Sequence, residues 1–191
     1  MPITLRDILT VPSSPSRELD LFLAQLDDQT RRLTEDTRGL TRTALEWQPA
    51  LGMNTIGMLL AHLAIVEVHW MQVGPLGRSP SRTDETLGIT VDDDGMPLPP
   101  RGRPPKGLAG RTLKYYDDLI ARARSYTREV SATLTDADLD REVTRTRRDG
   151  KVQVLNLRWV FYHVLEHFAG HYGQILLLRH QIRAMGRRRK R

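Results

Sequence analysis

NLRWVFYHVLEHFAGHYGQILLLRHQIRA, residues 156–184, reads as one long helix. Asn156 stands where a side-chain oxygen caps the first turn, and Gly186 follows where helix C-caps favour glycine. Within it His163, His167 and His171 recur every four residues. Side chains four apart on a helix lie one above the other on the same face, so His167 and His171 can aim their imidazoles at a single ion. Two histidines make half a metal site; the remainder has to come from elsewhere in the chain.

Working outward from that helix, three more long helices are legible. Residues 16–40 carry Leu19, Leu21, Phe22, Leu23, Leu26 and Leu33 between charged positions, with Ser16 as N-cap and Gly39 at the end. Asn54 is placed to cap a second helix running to about Val73, where Gly74-Pro75 stops it. That helix is apolar nearly all round and is expected at the centre of the fold. From Arg111 to about Leu134, Leu113, Tyr116, Ile120, Ala123 and Val130 recur at helical spacing, widened by Leu119 and Tyr126. Residues 74–110, dense in Pro, Gly and Asp and without helical or strand period, read as a long surface loop. Residues 141–155 alternate around Asp149-Gly150, a strong hairpin signal. The expectation is an all-α protein: a four-helix bundle in one domain over 1–191, with a long crossover loop and a small β-hairpin before the last helix.

Composition narrows the function. The chain has 191 residues, 27% charged and 39% hydrophobic, a globular profile. The run IGMLLAHLAIVEVHWM is broken by His62, Glu67 and His69, too short and too polar for a bilayer, which asks for about 20 apolar residues. MPITLRDILT lacks the pattern of a secretory signal, so a cytoplasmic protein is expected, with no membrane partner. There is no cysteine, which excludes disulfides, Cys-ligated zinc and a protein thiolate nucleophile. Residues 187–191 supply five of the net charge of +6, leaving the remainder near neutral, so specific nucleic-acid binding is not expected.

His62 is the best third ligand. It sits mid-helix among Leu59, Leu60, Leu63 and Ile65, where an unpaired imidazole is costly and a metal would satisfy it. A lone core histidine is more often satisfied by a hydrogen bond, and it is the His167/His171 pair that shifts the balance. His69, seven residues on, is a pocket residue or an alternative ligand. His163 is turned partly away from His171 by helical drift and is a core or supporting residue. His180 fits the solvent side near the helix C-terminus. HVLEH, residues 163–167, matches an inverted zinc-protease pattern with Glu166 as base, but no Asp or Glu follows it to complete the ligand set. A di-iron bundle needs Glu-x-x-His, which Glu67 and Glu166 do not form. No G-x-S-x-G elbow or phosphate-cradling glycine loop occurs.

NTIGMLLAHLAIVEVHWMQV, followed about a hundred residues later by NLRWVFYHVLEHFAGHYGQILLLRH, resembles the DinB/YfiT-like superfamily of metal-dependent four-helix bundles. The shared pieces are His62 with Glu67 and Trp70, then His167 and His171 with Gly173 and Gln174. The resemblance implies one divalent metal ion, zinc or nickel, on His62, His167 and His171. Glu67, Trp70 and Gln174 from the shared pieces, with His69 and His163 from their spacing, are expected in the pocket or in support of the ligands. The resemblance further implies a thiol-dependent S-transferase of the bacillithiol or mycothiol type, acting on an electrophilic small molecule in stress response or detoxification, and a homodimer. A metal that activates a cosubstrate thiol suits a chain without cysteine. Arg78, Arg82, Arg101 and Arg103 in the 74–110 loop are candidates for holding an anionic thiol or substrate. The rival expectation is a non-enzymatic bundle with structural histidines that binds a partner or nucleic acid.

Overall fold

A computed structural model describes residues 15–146 and 150–188. The first fourteen residues, Asp149 of the expected turn and the last three residues of the basic tail lie outside them. Four long helices are present: α1 (Arg17–Thr37), α3 (Ile56–Val73), α5 (Leu113–Ser131) and α6 (Leu157–Arg188). Two short ones, α2 (Arg42–Glu46) and α4 (Thr83–Leu87), accompany them, with 3-10 turns at Lys106–Leu108 and Asp136–Asp140. Strands β1 (Glu142–Thr146) and β2 (Val152–Asn156) pair antiparallel just before α6, with Val143 opposite Leu155 and Arg145 opposite Gln153. The chain is therefore mostly helical with one small hairpin, as the sequence led us to expect.

The long helices neighbour one another in the ring α1, α6, α3, α5. In chain order, the connections from α1 to α3 and from α5 to α6 both cross the bundle. Two crossovers result, with room in one for α2 and in the other for the hairpin. The core is built from Leu26 and Leu33 of α1, Ile56, Ala61, Val68 and Met71 of α3, Leu119 and Ala123 of α5, and Val160, Phe161, Phe168 and Ile175 of α6, all fully buried. α3 is long and apolar enough to cross a membrane, but 78% of it is buried between its neighbours. Its apolar surface is covered by the protein itself.

Local chemistry sets the helix ends, with three departures from expectation. Ser16 caps α1 as expected, its hydroxyl accepting from the Leu19 N–H at 3.1 Å. α3 is capped by Thr55 rather than Asn54: the Thr55 hydroxyl accepts from the Met58 N–H at 3.2 Å. Both residues carry a capping oxygen, and burial of Ile56 in the core selects the register. α6 does not stop at Gly186 but runs on to Arg188, because a glycine ends a helix only by turning left-handed, and Gly186 does not. Asn156 does cap it, accepting from the Trp159 N–H at 2.9 Å. The third departure is the 74–110 segment, which is no plain surface loop. α4 packs on α3 and α5, and Thr83, Leu87, Asp94 and Leu108 are buried.

Candidate metal centre

His62 projects from the middle of α3, and His167 and His171 project from successive turns of α6, the helix beside it. The Nε2 atom of His167 lies 3.1 Å from Nε2 of His62 and 3.1 Å from Nε2 of His171. One ligand atom from each of the three histidines falls within 4.8 Å of the others. Imidazole nitrogens held about 2.0–2.1 Å from one tetrahedral ion lie roughly 3.3 Å from each other. The observed spacing fits such an ion.

The outer ring nitrogens are also held. His62 Nδ1 donates to the Asp94 carboxylate at 2.7 Å, and His171 Nδ1 donates to the Gln174 side-chain oxygen at 3.0 Å. In the neutral ring a proton on Nδ1 leaves a lone pair on Nε2, so both partners orient lone pairs toward the cluster. Asp94 is 1% exposed and is itself pinned, its other oxygen accepting from the Met96 N–H at 2.7 Å. Burial, then the neighbouring His171, His62 and His163, push the His167 imidazole down to about pKa 3. Burial likewise lowers His171. Protons are disfavoured where lone pairs converge, which is the electrostatic condition for a cation-binding donor set.

The other expected residues divide. His69 lies on the His62 side of α3, hydrogen-bonds through Nδ1 to the Ser81 hydroxyl at 2.7 Å, and lines the same cavity as His62. Trp70 is buried, edge-on to Trp159 and to His163 at 5.4 and 5.0 Å. His163 stacks flat on Trp159 at 4.7 Å and stands one turn before His167, at 5.7 Å between ring centres; it supports the cluster without joining it. His180 is exposed, as expected. Glu67 is a correction. Five residues beyond His62 puts it well round the helix, and its carboxylate turns into the α3–α5 interface, accepting from Arg124 Nε and the Thr127 hydroxyl at 2.8 Å each. Of the 74–110 arginines, Arg78 pairs with Glu85 and Arg82 with Asp84 on the surface.

Sequence reading missed Asp94. It is the last of three consecutive aspartates before Gly95, and Asp-Gly marks a turn without saying which carboxylate reaches back to α3. Gln174 was legible, three residues from His171 on the same helix face.

Comparison with known proteins agrees with this fold. Residues 21–184 match the family described as mycothiol-S-transferase. The chain belongs to that family, a branch of the DinB-like proteins. Among solved structures it is similar to a DinB-like protein from Bacillus cereus ATCC 10987, with TM-score 0.58 and 18% identity over 84% of this chain and 90% of that one. No curated protein matches it.

Proposed function

We propose that the protein is a metal-dependent S-transferase in which His62, His167 and His171 hold one divalent ion, zinc or nickel, and a small-molecule thiol is joined to an electrophilic acceptor. The observation that carries this is the convergence of the three Nε2 atoms, two of them 3.1 Å from the third, with the ring positions of His62 and His171 secured by Asp94 and Gln174. Membership of the mycothiol-S-transferase family supports the thiol as cosubstrate. The absence of cysteine in the chain requires the sulfur nucleophile to arrive from outside.

A divalent ion held by His62, His167 and His171 would supply Lewis acidity that lowers the pKa of a bound thiol. The chain's own residues do the rest. Asp94 fixes the His62 ring and its tautomer, and Gln174 does the same for His171 with a neutral acceptor. Burial of His167 keeps it unprotonated at neutral pH, ready to coordinate. A set of three protein ligands is the pattern of catalytic rather than structural zinc sites.

The test is elemental analysis of protein purified without an affinity tag. About one equivalent of a divalent metal is expected, by the three-ligand rule, with loss in His62→Ala and His171→Ala. Wild-type protein that stays metal-free after soaking in zinc and nickel would sink the reading.

A further inference from the structure

Two cavities bordered by described residues meet at the histidine cluster, and His62 and Met96 stand on the wall of both. The larger, about 460 Å³, has His69, Asp94 and Thr146 among its lining residues. The smaller, about 300 Å³, is closed by Gly52, Asn54, Pro97 and Leu98. Each is large enough for a small organic ligand. Met96 is held in place between them: its N–H donates to one Asp94 oxygen at 2.7 Å, and the other Asp94 oxygen accepts from His62. The two chain segments around the smaller cavity are clasped together. The Gly52 N–H donates to the Gly102 carbonyl at 3.0 Å, and the Gln48 amide donates to the Gly102 and Met53 carbonyls at 2.9 Å each. Gly52 has φ +83°, and a Cβ there would stand 2.7 Å from the Pro100 carbonyl oxygen, so the clasp requires glycine.

The lining of the smaller cavity is apolar but for two side chains. His62 is committed at both nitrogens, Nδ1 to Asp94 and Nε2 to the cluster. Asn54 is half-buried, and its amide has no hydrogen-bond partner among the described residues, because Thr55 has taken the capping role at the start of α3. That amide carries two N–H donors for an oxygen acceptor.

We propose that the smaller cavity is the acceptor subsite: it takes a small apolar enone whose carbonyl oxygen accepts from the Asn54 amide, while the thiol enters through the larger, more polar cavity. The inference rests on the metal and thiol reading for the sulfur that the enone meets. An electrophile of this kind brings an acceptor oxygen and no donor, which an amide N–H in an apolar wall matches. The reaction closes without a further reactant. The S–C bond forms at the β-carbon as the C=C π pair shifts toward the carbonyl oxygen, and the proton given up by the thiol ends on the α-carbon. The oxygen that gains charge is the one held by Asn54.

Binding is read first in metal-free protein, with propiophenone, the saturated and unreactive counterpart of an enone, and with propylbenzene, which lacks the oxygen. The NMR reporters are the Asn54 side-chain amide and the Met96 methyl. Both compounds are expected to shift Met96, and the ketone alone to shift Asn54. Asn54→Ala is expected to weaken the ketone about 3- to 10-fold, the worth of one hydrogen bond, and to leave the hydrocarbon's affinity unchanged. Thr55, not Asn54, caps α3, so this variant keeps the helix start. Leu98→Trp, which fills the cavity, abolishes binding of both. In cobalt-substituted protein, N-acetylcysteine is expected to give thiolate-to-cobalt absorption whose midpoint saturating propiophenone leaves unchanged. Ketone binding with its Asn54 dependence but no such absorption supports the subsite and sinks the thiol reading alone. No shift with either compound, equal weakening of both in Asn54→Ala, or displacement of the thiol by the ketone overturns the subsite and leaves the metal centre standing.

Discussion

Asp94 shows how much one buried carboxylate can decide. Its contact with His62 Nδ1 at 2.7 Å fixes the tautomer that leaves Nε2 free for a cation. Asp94→Asn keeps the shape and removes the charge. Metal affinity measured by chelator competition is expected to fall about 10- to 100-fold, the usual cost of losing such a partner, with the far-UV circular dichroism unchanged. His167 carries a pH signature of its own. Its folded pKa, pushed down to about 3 by burial first and by neighbouring histidines second, lies below the roughly 6.5 of an unfolded histidine. Between those values the unfolded chain binds the extra proton, so stability is full above about pH 6.5 and declines as pH falls toward 3. Thermal midpoints of metal-free protein at pH 7.5 and 5 should drop more for wild type than for His167→Gln. An equal drop would show that His167 is not held neutral.

Helix pairing rests on three different devices. Between α3 and α5 a buried ion pair ties Glu67 to Arg124, with the Thr127 hydroxyl donating to the same carboxylate and Asp27 of α1 accepting from Arg124 Nη1 at 2.9 Å. Glu67 is 2% exposed and Arg124 6%. Arg124→Ala leaves a carboxylate buried without its cation and is expected to cost about 3–5 kcal/mol in urea unfolding, whereas Glu67→Leu combined with Arg124→Met should be close to neutral. Equal losses in the two variants would contradict this account. The second device is close approach. A Cβ at Gly57 would stand 2.6 Å from the Tyr116 hydroxyl oxygen and 3.2 Å from the Leu45 carbonyl. Tyr116 is fully buried and cannot swing away, so Gly57→Ala is expected to lower stability by about 1–3 kcal/mol through overpacking, despite alanine's better helix propensity. α1 and α6 are joined differently, the Tyr172 hydroxyl and Arg179 both meeting Asp36, at 2.5 and 2.8 Å.

Across the fold, stability is distributed around α3, which touches α2, α4, α5 and α6. Hydrogen exchange should therefore find the α3 amides exchanging only with global unfolding. Amides of the β1–β2 hairpin, whose Val152 and Val154 side chains are 67% and 57% exposed, should exchange by local opening orders of magnitude sooner. The same arrangement explains the site's location. His62 sits at the middle of a largely buried helix, and its two partners come from a neighbour packed along it, so the ligand geometry is carried by packed helices. Fast exchange in the middle of α3 would argue against that.

Periodicity and spacing determined the four long helices, their amphipathic faces and the hairpin, because helical period and turn chemistry are local properties that each segment carries alone. The 167/171 pair was equally legible, since one helix places both rings on one face, and His62 was singled out by the conflict between an imidazole and its apolar neighbours. Tertiary structure decided what depends on distance between segments far apart in sequence. Asp94 meets His62 across 32 positions, Glu67 turns to Arg124 across 57, and Arg145 lies over Trp70 from a separate hairpin. Each of these is set by how helices pack and by how the 74–110 segment folds over α3 and α5. A sequence lacking periodicity there carries no local signal of burial, because the residues it buries are chosen by the surface they land on.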